Sequence, residues 1–441
     1  MADGIQSTWG STWKAREPGY DPVIARARKD SHISLADNPA KDRLDERITM
    51  VIPDVPGGVM DYAHMMAGHM GNARVLVYHK DLNVDGDSVL LHMSGYGYSR
   101  YGAPLHLLNW ARRNKPRMKR FGVFMHEAYA VSDRITSSVY WVWRAQRYIA
   151  SQLARRSDFW ISNTHYIHDW LETQAGDLPH LWMPIYSTIG ELAELPAVRQ
   201  KKLVVFGTAL MRVNTWRAGG EALFRWAAAS GLEIHDIGSP IGDPEIAAML
   251  KARGVIAHGR LPAEAVQKLL TAATYGVVAY SPHDVAKSGI FGAYSAHGVV
   301  PVLLSPNTGS HDGLAPGVQY LEGIPLAEPD PVEMARMSRA AFDWYQGHSV
   351  AASCDAIEAL FGPAHGAEGI VRSGTRPART QGEQGKVPVR VPLELALSDG
   401  RGHPFEGIRR SFGARTWGSG AISNHGFPRH WPLEASEHGG L

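Results

Sequence analysis

At 441 residues the chain is longer than one ordinary hydrophobic core sustains, so two or three domains are expected. It is 44% hydrophobic and 20% charged, with a formal net charge of +2. That balance suits a globular protein and supplies no global field for nucleic acid or an anionic membrane. A single cysteine, Cys354, excludes an intrachain disulfide framework and reads as a buried structural thiol in a reducing compartment. No run approaches the ~20 apolar residues of a membrane span. The start, MADGIQSTWGSTWKAREPGYD, lacks the apolar core of a secretory signal, so cytoplasmic residence is expected.

Residues 1–47 are polar and aperiodic and read as an extension outside the core. The first strong strand is Ile48–Ile52; it runs through Pro53–Gly58 into a helix over Val59–Met70, the strand–glycine turn–helix opening of a Rossmann-like unit. Strands over Arg74–Tyr78 and Ser88–Met93, a helix at Pro104–Arg113, a strand at Phe121–Met125, a helix at Val139–Arg156 and a strand at Asp158–Ser162 follow. This alternation predicts a parallel sheet with helices on both faces, in a first domain over residues 48–190.

The proline-bearing stretch Leu178–Pro196 reads as the interdomain linker, and the pattern restarts in a second domain over residues 200–365. Leu203–Phe206 is a strand and Gly220–Ala229 a helix. Asp243 can cap the next helix, with Pro244 at its first position and Gly254 past its end; Ile246, Met249 and Leu250 share one face. Val266, Leu269, Leu270 and Ala273 repeat that spacing, and strands Val277–Tyr280 and Val299–Leu304 flank a short helix. Past residue 366 Gly, Arg, Ser, Pro and His dominate, and residues 366–441 read as a peripheral or disordered tail. The fold class is therefore α/β, two Rossmann-like domains facing across a cleft.

Open α/β sheets bind ligands beyond the carboxyl ends of their strands. In the second half the loop Ser281–Gly289 follows a strand and leads into the helix Ile290–His297. Ser288 can cap that helix, Lys287 adds charge, and Gly289 permits close backbone approach, which together suit a diphosphate. A capped surface helix with a solvated lysine is the competing reading. In the first half, His126 and Glu127 stand directly beyond the strand Phe121–Met125 and so point toward the cleft, where Glu127 would orient an acceptor hydroxyl or His126. Tyr96 and Tyr98, in Ser94–Gly102, combine flat apolar rings with hydroxyls and suit an acceptor, or else a packed Ω-loop.

Three further features carry less. Asp85-Gly86-Asp87 reads as a turn rather than a cation-holding Asp-x-Asp. His64/His69 and His165/His168 lack partner ligands in sequence, so no metal site is expected. Tyr140–Tyr148 mixes aromatics with arginines; peripheral contact with a membrane carrying a lipid-linked acceptor is one reading, and a helix packed on its own sheet is the simpler one.

The succession Gly259–Leu270, Tyr275–Pro282 and Lys287–Gly298, with the later Ser305–Gly309 and Asp330–Gln346, resembles the C-terminal domain of family 4 glycosyltransferases. The resemblance covers roughly residues 48–365. It implies the GT-B fold, a nucleotide-diphosphate sugar as co-substrate with no other cofactor, a hydroxyl acceptor (sugar, lipid-linked sugar or small molecule), and retention of configuration without a metal. It implies further that His126 sits under the donor sugar. Arg212 (and second to it Arg217) would meet the donor diphosphate, and Gly57-Gly58 would form the glycine loop at which acceptor and donor phosphate approach the first helix. One departure stands out: the family's two glutamates, eight positions apart, align with Val285 and Ala293. The departure keeps open a catalytically silent binding or scaffold subunit; a sugar-nucleotide epimerase of the same fold is the other alternative.

Overall fold

The structure is a computed structural model that describes residues 47–130, 138–305 and 310–362. The expected N-terminal extension, the tail beyond 366 and the stretch 306–309 thus lie outside the described residues, save for Arg47.

In the first half, β1 (Ile48–Ile52) leads into α1 (Gly58–Met70), then β2 (Ala73–Val77) and β3 (Ser88–Ser94). A four-residue turn of helix, α2 (Gly95–Tyr98), and α3 (His106–Asn114) precede β4 (Arg120–Glu127). Next come α4 (Ser138–Arg156), β5 (Phe159–Ser162), α5 (His165–Ala175) and the short β6 (His180–Trp182). The six strands form one sheet in the order β2-β1-β3-β4-β5-β6, every pair parallel.

The second half has β7 (Gln200–Phe206), α6 (Ala209–Ala229), β8 (Glu233–Ile237), α7 (Pro244–Ala252), β9 (Ile256–Gly259) and α8 (Ala263–Ala272). It continues through β10 (Ala273–Val278), a 3₁₀ turn (Pro282–Lys287), α9 (Gly289–Ala296), β11 (Val300–Leu303) and β12 (Leu321–Glu322). Two helices, α10 (Pro331–Gln346) and α11 (Val350–Phe361), close the described chain. The sheet order is β12-β11-β10-β7-β8-β9, again all parallel. The chain is thus two parallel six-stranded α/β sheets in tandem, as the alternation of strand and helix patterns predicts.

Each sheet buries both faces, which is why its strands read as continuous apolar runs. In the first, Met50, Ile52 and Phe124 face α1 through Tyr62 and Met66, while Val51, Leu91 and Val123 face α3 and α4 through Trp110 and Leu153. In the second, Leu203, Val205 and Val277 pack with Trp216 and Leu223, and Val204, Val278 and Leu303 pack with Leu270, Phe291 and Tyr294. The expected helix at Gly220–Ala229 begins earlier, at Ala209, and breaks at Gly220 (φ 47°). Asp243 caps α7 as its spacing suggests, accepting from the backbone N–H of Glu245 and Ile246.

The segment after β6 ties the sheets together. The Ile185 N–H donates to the Ala286 carbonyl at 2.9 Å, and the linker lies so close to α9 that a Cβ at Gly292 would meet the Ile185 carbonyl oxygen at 2.9 Å. Glu191 accepts from the Tyr345 hydroxyl at 2.6 Å and from the Val350 N–H at 2.7 Å, fixing the corner between α10 and α11. Past that corner α11 packs on α1, where Cys354 is buried with its Sγ 3.9 Å from the Met66 carbonyl; burial pushes its thiol up to about 12.

Candidate functional site

Parallel strands end together, so the carboxyl end of each sheet gathers its loops at one rim. In the first sheet β3 ends at Ser94 and β4 at His126-Glu127. The Ser94 hydroxyl donates to Glu127 Oε2 at 2.8 Å, holding the half-buried carboxylate at the rim. His126 is buried between Phe124, Tyr62 and His92, with its Nε2 2.9 Å from His92 Nδ1. Burial lowers both imidazoles, His92 to about 3, and His92 lowers His126 further, so both are neutral. His92 Nε2 has no partner. The tautomers that leave no unpaired N–H on buried His92 therefore put the His92 proton on Nδ1, bonded to His126 Nε2, and the His126 proton on Nδ1. The Asn163 amide holds the His126 carbonyl at 3.1 Å.

In the second sheet Ser288 caps α9, its Oγ accepting from the Phe291 N–H at 3.2 Å. Gly289 follows with nothing within 4 Å of the place a Cβ would occupy, so the start of α9 has open approach there. Lys287 is not a solvated lysine: its Nζ lies 2.8 Å from Asp284 Oδ1. Burial by itself would lower the ammonium, but the Asp284 carboxylate and the hydroxyls of Tyr166 and Tyr280 hold it well above its ordinary value. Asp284 is held below the usual carboxylate range despite burial, because Lys287 faces it.

The two rims meet at this cluster. The Tyr166 hydroxyl, at the start of α5, donates to Asp284 Oδ1 at 3.0 Å. One residue earlier, the His165 backbone N–H donates to Asp312 Oδ1 at 2.6 Å and its ring lies 3.0 Å from the same oxygen. Tyr280 is buried at the centre: burial raises its hydroxyl, Lys287 opposes that, and Asp284, Glu127 and Tyr166 reinforce it.

Other expected site residues sit elsewhere. Arg212 is at the rim but is not a free cation: its side chain is 1% exposed and ion-paired to Asp236, and its other guanidinium nitrogens donate to the Ser239 and Gly207 carbonyls. Burial draws the guanidinium down and Asp236 opposes that shift. The arginine shapes the Gly238–Ser239 turn, which walls a cavity of about 400 Å³ beside β8 and β9 together with Pro240, Ile241 and Leu250. Arg217 is exposed and paired with the cap residue Asp243 at 2.7 Å. Tyr98 donates to the Val51 carbonyl at 3.0 Å, and the Tyr96 ring lies over Gly102, where a Cβ would meet it at 2.7 Å. Both tyrosines are framework of a packed loop, the competing reading of that segment. Gly57 and Gly58 do form the entry to α1, with nothing within 4 Å of a Cβ placed at Gly58.

Asp85 and Asp87 flank Gly86 (φ 72°) in a turn; Asp87 accepts from Thr49 and Arg74, and Asp85 pairs with Arg117. Val285, in the 3₁₀ turn, and Ala293, on α9, stand at the family's carboxylate positions and are buried in the core. His64 and His69 are exposed. His168 does have potential ligands around it: Glu172 stands one turn on along α5, and folding brings His180 of β6 to both. On α4, Trp143 and Arg147 lie together and Arg147 covers Tyr129 and Trp170, while Trp141 and Tyr148 are exposed. No described helix is long and apolar enough to cross a membrane.

Tyr166, Asp284, Tyr280 and Asp312 were not singled out in sequence. Tyr166 had a signal, since it stands four residues past a buried strand at a helix start, but its partner Asp284 is 118 positions away.

No family model matches this sequence, and no curated protein does. Among solved structures it is similar to an α-glucosyltransferase in complex with UDP, at 10% identity and TM-score 0.44, over 72% of this chain and 100% of that one. It is also similar to the N-terminal domain of Candida albicans trehalose-6-phosphate phosphatase, at 11% identity and TM-score 0.46, over 74% of this chain and 98% of that one. A third likeness is to pneumococcal O-GlcNAc transferase GtfA in complex with UDP and GlcNAc, at 10% identity and TM-score 0.42, over 63% of this chain and 58% of that one. At these levels function rests on the chain's own residues.

Proposed function

We propose that the chain is a glycosyltransferase that moves a sugar from a nucleotide-diphosphate sugar to a hydroxyl acceptor, with retention and without a metal. The observation that carries the reading is the seam where Tyr166 of the first half donates to Asp284, itself paired with Lys287 beside the start of α9. A diphosphate at that start would meet backbone N–H groups, the positive end of the helix and the Lys287 ammonium. Those groups oppose the charge that develops as the nucleoside diphosphate leaves, the kind of fixed electrostatic stabilisation that accelerates group transfer most. The cavity walled by Gly238, Ser239 and Ile241 is of a size to take the nucleoside. From the opposite rim, neutral His126 presents its Nδ1–H to a sugar hydroxyl, and Glu127, steadied by Ser94, orients the incoming acceptor. The Asp85 and Asp87 carboxylates already face arginines and Thr49, so the charge at the diphosphate is assigned to Lys287 and the helix start.

A second reading is favoured by one observation. Val285 and Ala293 are apolar and buried where the resembled family carries carboxylates. A silent subunit would keep the diphosphate site and lose transfer. Thermal unfolding against a panel of nucleotide sugars, with excess chelator present, comes first, because a bound donor raises the midpoint by mass action. Product analysis with the donor found then separates the readings. Transfer to an acceptor supports the enzyme, binding without consumption supports the silent subunit, and a midpoint unmoved by every nucleotide sugar overturns both.

A further inference from the structure

Beside the seam, at the outer edge of the first sheet, α5 and β6 bring three ligand-type side chains together. His168 and Glu172 are four residues apart on α5 and so share one face. His180 opens β6, the strand to which α5 leads through the turn at Gly176. His168 Nε2, Glu172 Oε1 and His180 Nε2 all lie within 4.8 Å of one another; the carboxylate oxygen is 3.7 Å from the first imidazole and 3.2 Å from the second. Ligand atoms bound at about 2.0–2.2 Å around one tetrahedral ion stand roughly 3.3–3.6 Å apart, so small side-chain adjustments close the site.

The far side of each ring is held. His180 Nδ1 lies 2.8 Å from the Leu178 carbonyl, which can only accept, so that nitrogen carries the proton. The His180 Nε2 lone pair then faces the Glu172 oxygen, acceptor against acceptor. His168 Nδ1 is 2.9 Å from the Ser162 hydroxyl, and Trp160 stacks on His180 with ring centroids 4.7 Å apart. Outer-ring hydrogen bonds to a carbonyl and a hydroxyl are the arrangement that orients imidazoles toward a metal. A proton between His180 and Glu172 would relieve one contact, whereas a divalent cation satisfies all three ligands at once.

We propose that His168, Glu172 and His180 bind one divalent transition-metal ion of the zinc class, with the remaining coordination position open to solvent. The donor set, two imidazoles and a carboxylate, suits zinc, cobalt and nickel better than calcium or magnesium, which take oxygen. The ion clips the three-residue edge strand β6 to α5, and His168 is the buried anchor while Glu172 and His180 are reached from solvent.

The test uses the full chain stripped with chelator and titrated with Zn²⁺ by calorimetry and with Co²⁺ by visible absorption, alongside His180→Ala and Glu172→Gln. One equivalent of zinc, a tetrahedral cobalt spectrum and a raised unfolding midpoint are expected for the parent. Loss of one ligand should weaken binding by about a hundredfold, at least the effect of disturbing an outer-sphere partner, and should abolish the zinc-dependent rise in midpoint. Glu172 is exposed, so Glu172→Gln remains readable should His180→Ala fail to fold. Parent protein that binds no zinc at micromolar concentration overturns the site. So does binding or a cobalt spectrum that survives in the variants, which would place the metal on other histidines.

Discussion

The burial of Arg212 makes a prediction opposite to the one its position in the sequence suggests. Its side chain is 1% exposed and that of Asp236 6%. Replacing Arg212 with Met leaves the Asp236 carboxylate buried with one remaining side-chain partner, the Trp216 indole N–H at 2.9 Å. Deleting one member of a buried ion pair costs about 3–5 kcal/mol, because the other charge keeps its desolvation penalty and loses its partner. Burial already raises Asp236, with Arg212 as the main opposing influence, so losing the guanidinium should raise the carboxyl further. Adding Asp236→Leu removes the orphaned charge, and the double variant should recover most of the loss. By urea unfolding the double variant should therefore be more stable than Arg212→Met alone by at least about 2–3 kcal/mol. If Arg212→Met loses less than about 1 kcal/mol of stability while nucleoside-diphosphate affinity falls sharply, the guanidinium is a ligand of the anion and the structural reading fails.

At the seam, Lys287→Ala should weaken nucleoside-diphosphate binding by roughly 1–3 kcal/mol, whereas Asp284→Asn releases the ammonium and should tighten it; calorimetric titrations that cannot tell the two apart from the parent remove Lys287 from the phosphate end. His126→Ala should lower turnover and leave diphosphate affinity unchanged, and a parallel loss of both would assign it to the fold. Glu191→Ala deletes the acceptor for Tyr345 and the Val350 N–H and should cost about 2–4 kcal/mol by urea unfolding, with Glu191→Gln intermediate. Acid should destabilise before the carboxylates titrate, because burial lowers His92 and His348 to about 3. The unfolded chain binds these protons first, so stability falls as pH drops from about 6.5 towards 3, by about 2 kcal/mol per histidine at pH 5. An unfolding midpoint that is flat from pH 7 to pH 5 contradicts the neutral assignment.

The sheets were legible because parallel strands buried on both faces leave apolar runs such as Ile48–Ile52 and Phe121–Met125, and these need no partner to be recognised. β8 and β9 were not: Glu233–Ile237 carries a glutamate, a histidine and an aspartate, and the β9 run Ile256–Gly259 is short and largely exposed at the sheet edge. The polar residues of β8 make sense only with their partners, Asp236 with Arg212 and His235 with His258 at 2.8 Å. The same limit governs the site. His126, Glu127, Ser288 and Gly289 could be named from their places beyond strands, because topology alone sends such residues to the rim. Whether a cation there is available cannot be read from its own neighbourhood: Arg212 meets Asp236 from 24 positions away. Lys287 does have Asp284 within one turn, but the Tyr166 hydroxyl that holds the same carboxylate comes from the other sheet.

This pairing has a consequence for how an anion would enter. Without ligand the Lys287 charge is balanced by Asp284, and Asp284 is tied to Tyr166 across the seam, so the cluster carries little net field. A diphosphate that takes Lys287 leaves Asp284 with Tyr166 alone, where a carboxylate next to two phosphates is disfavoured. Either the carboxylate rotates away, loosening Tyr166 and with it the start of α5, or it takes up a proton. Both routes link anion binding to the contact between the sheets. Protonation of Asp284 favours the bound state, since its carboxyl is ordinarily held low by the lysine it would lose. Binding by that route should consume a proton, so the calorimetric enthalpy of diphosphate binding should vary with the ionisation enthalpy of the buffer, and Asp284→Asn should abolish that dependence.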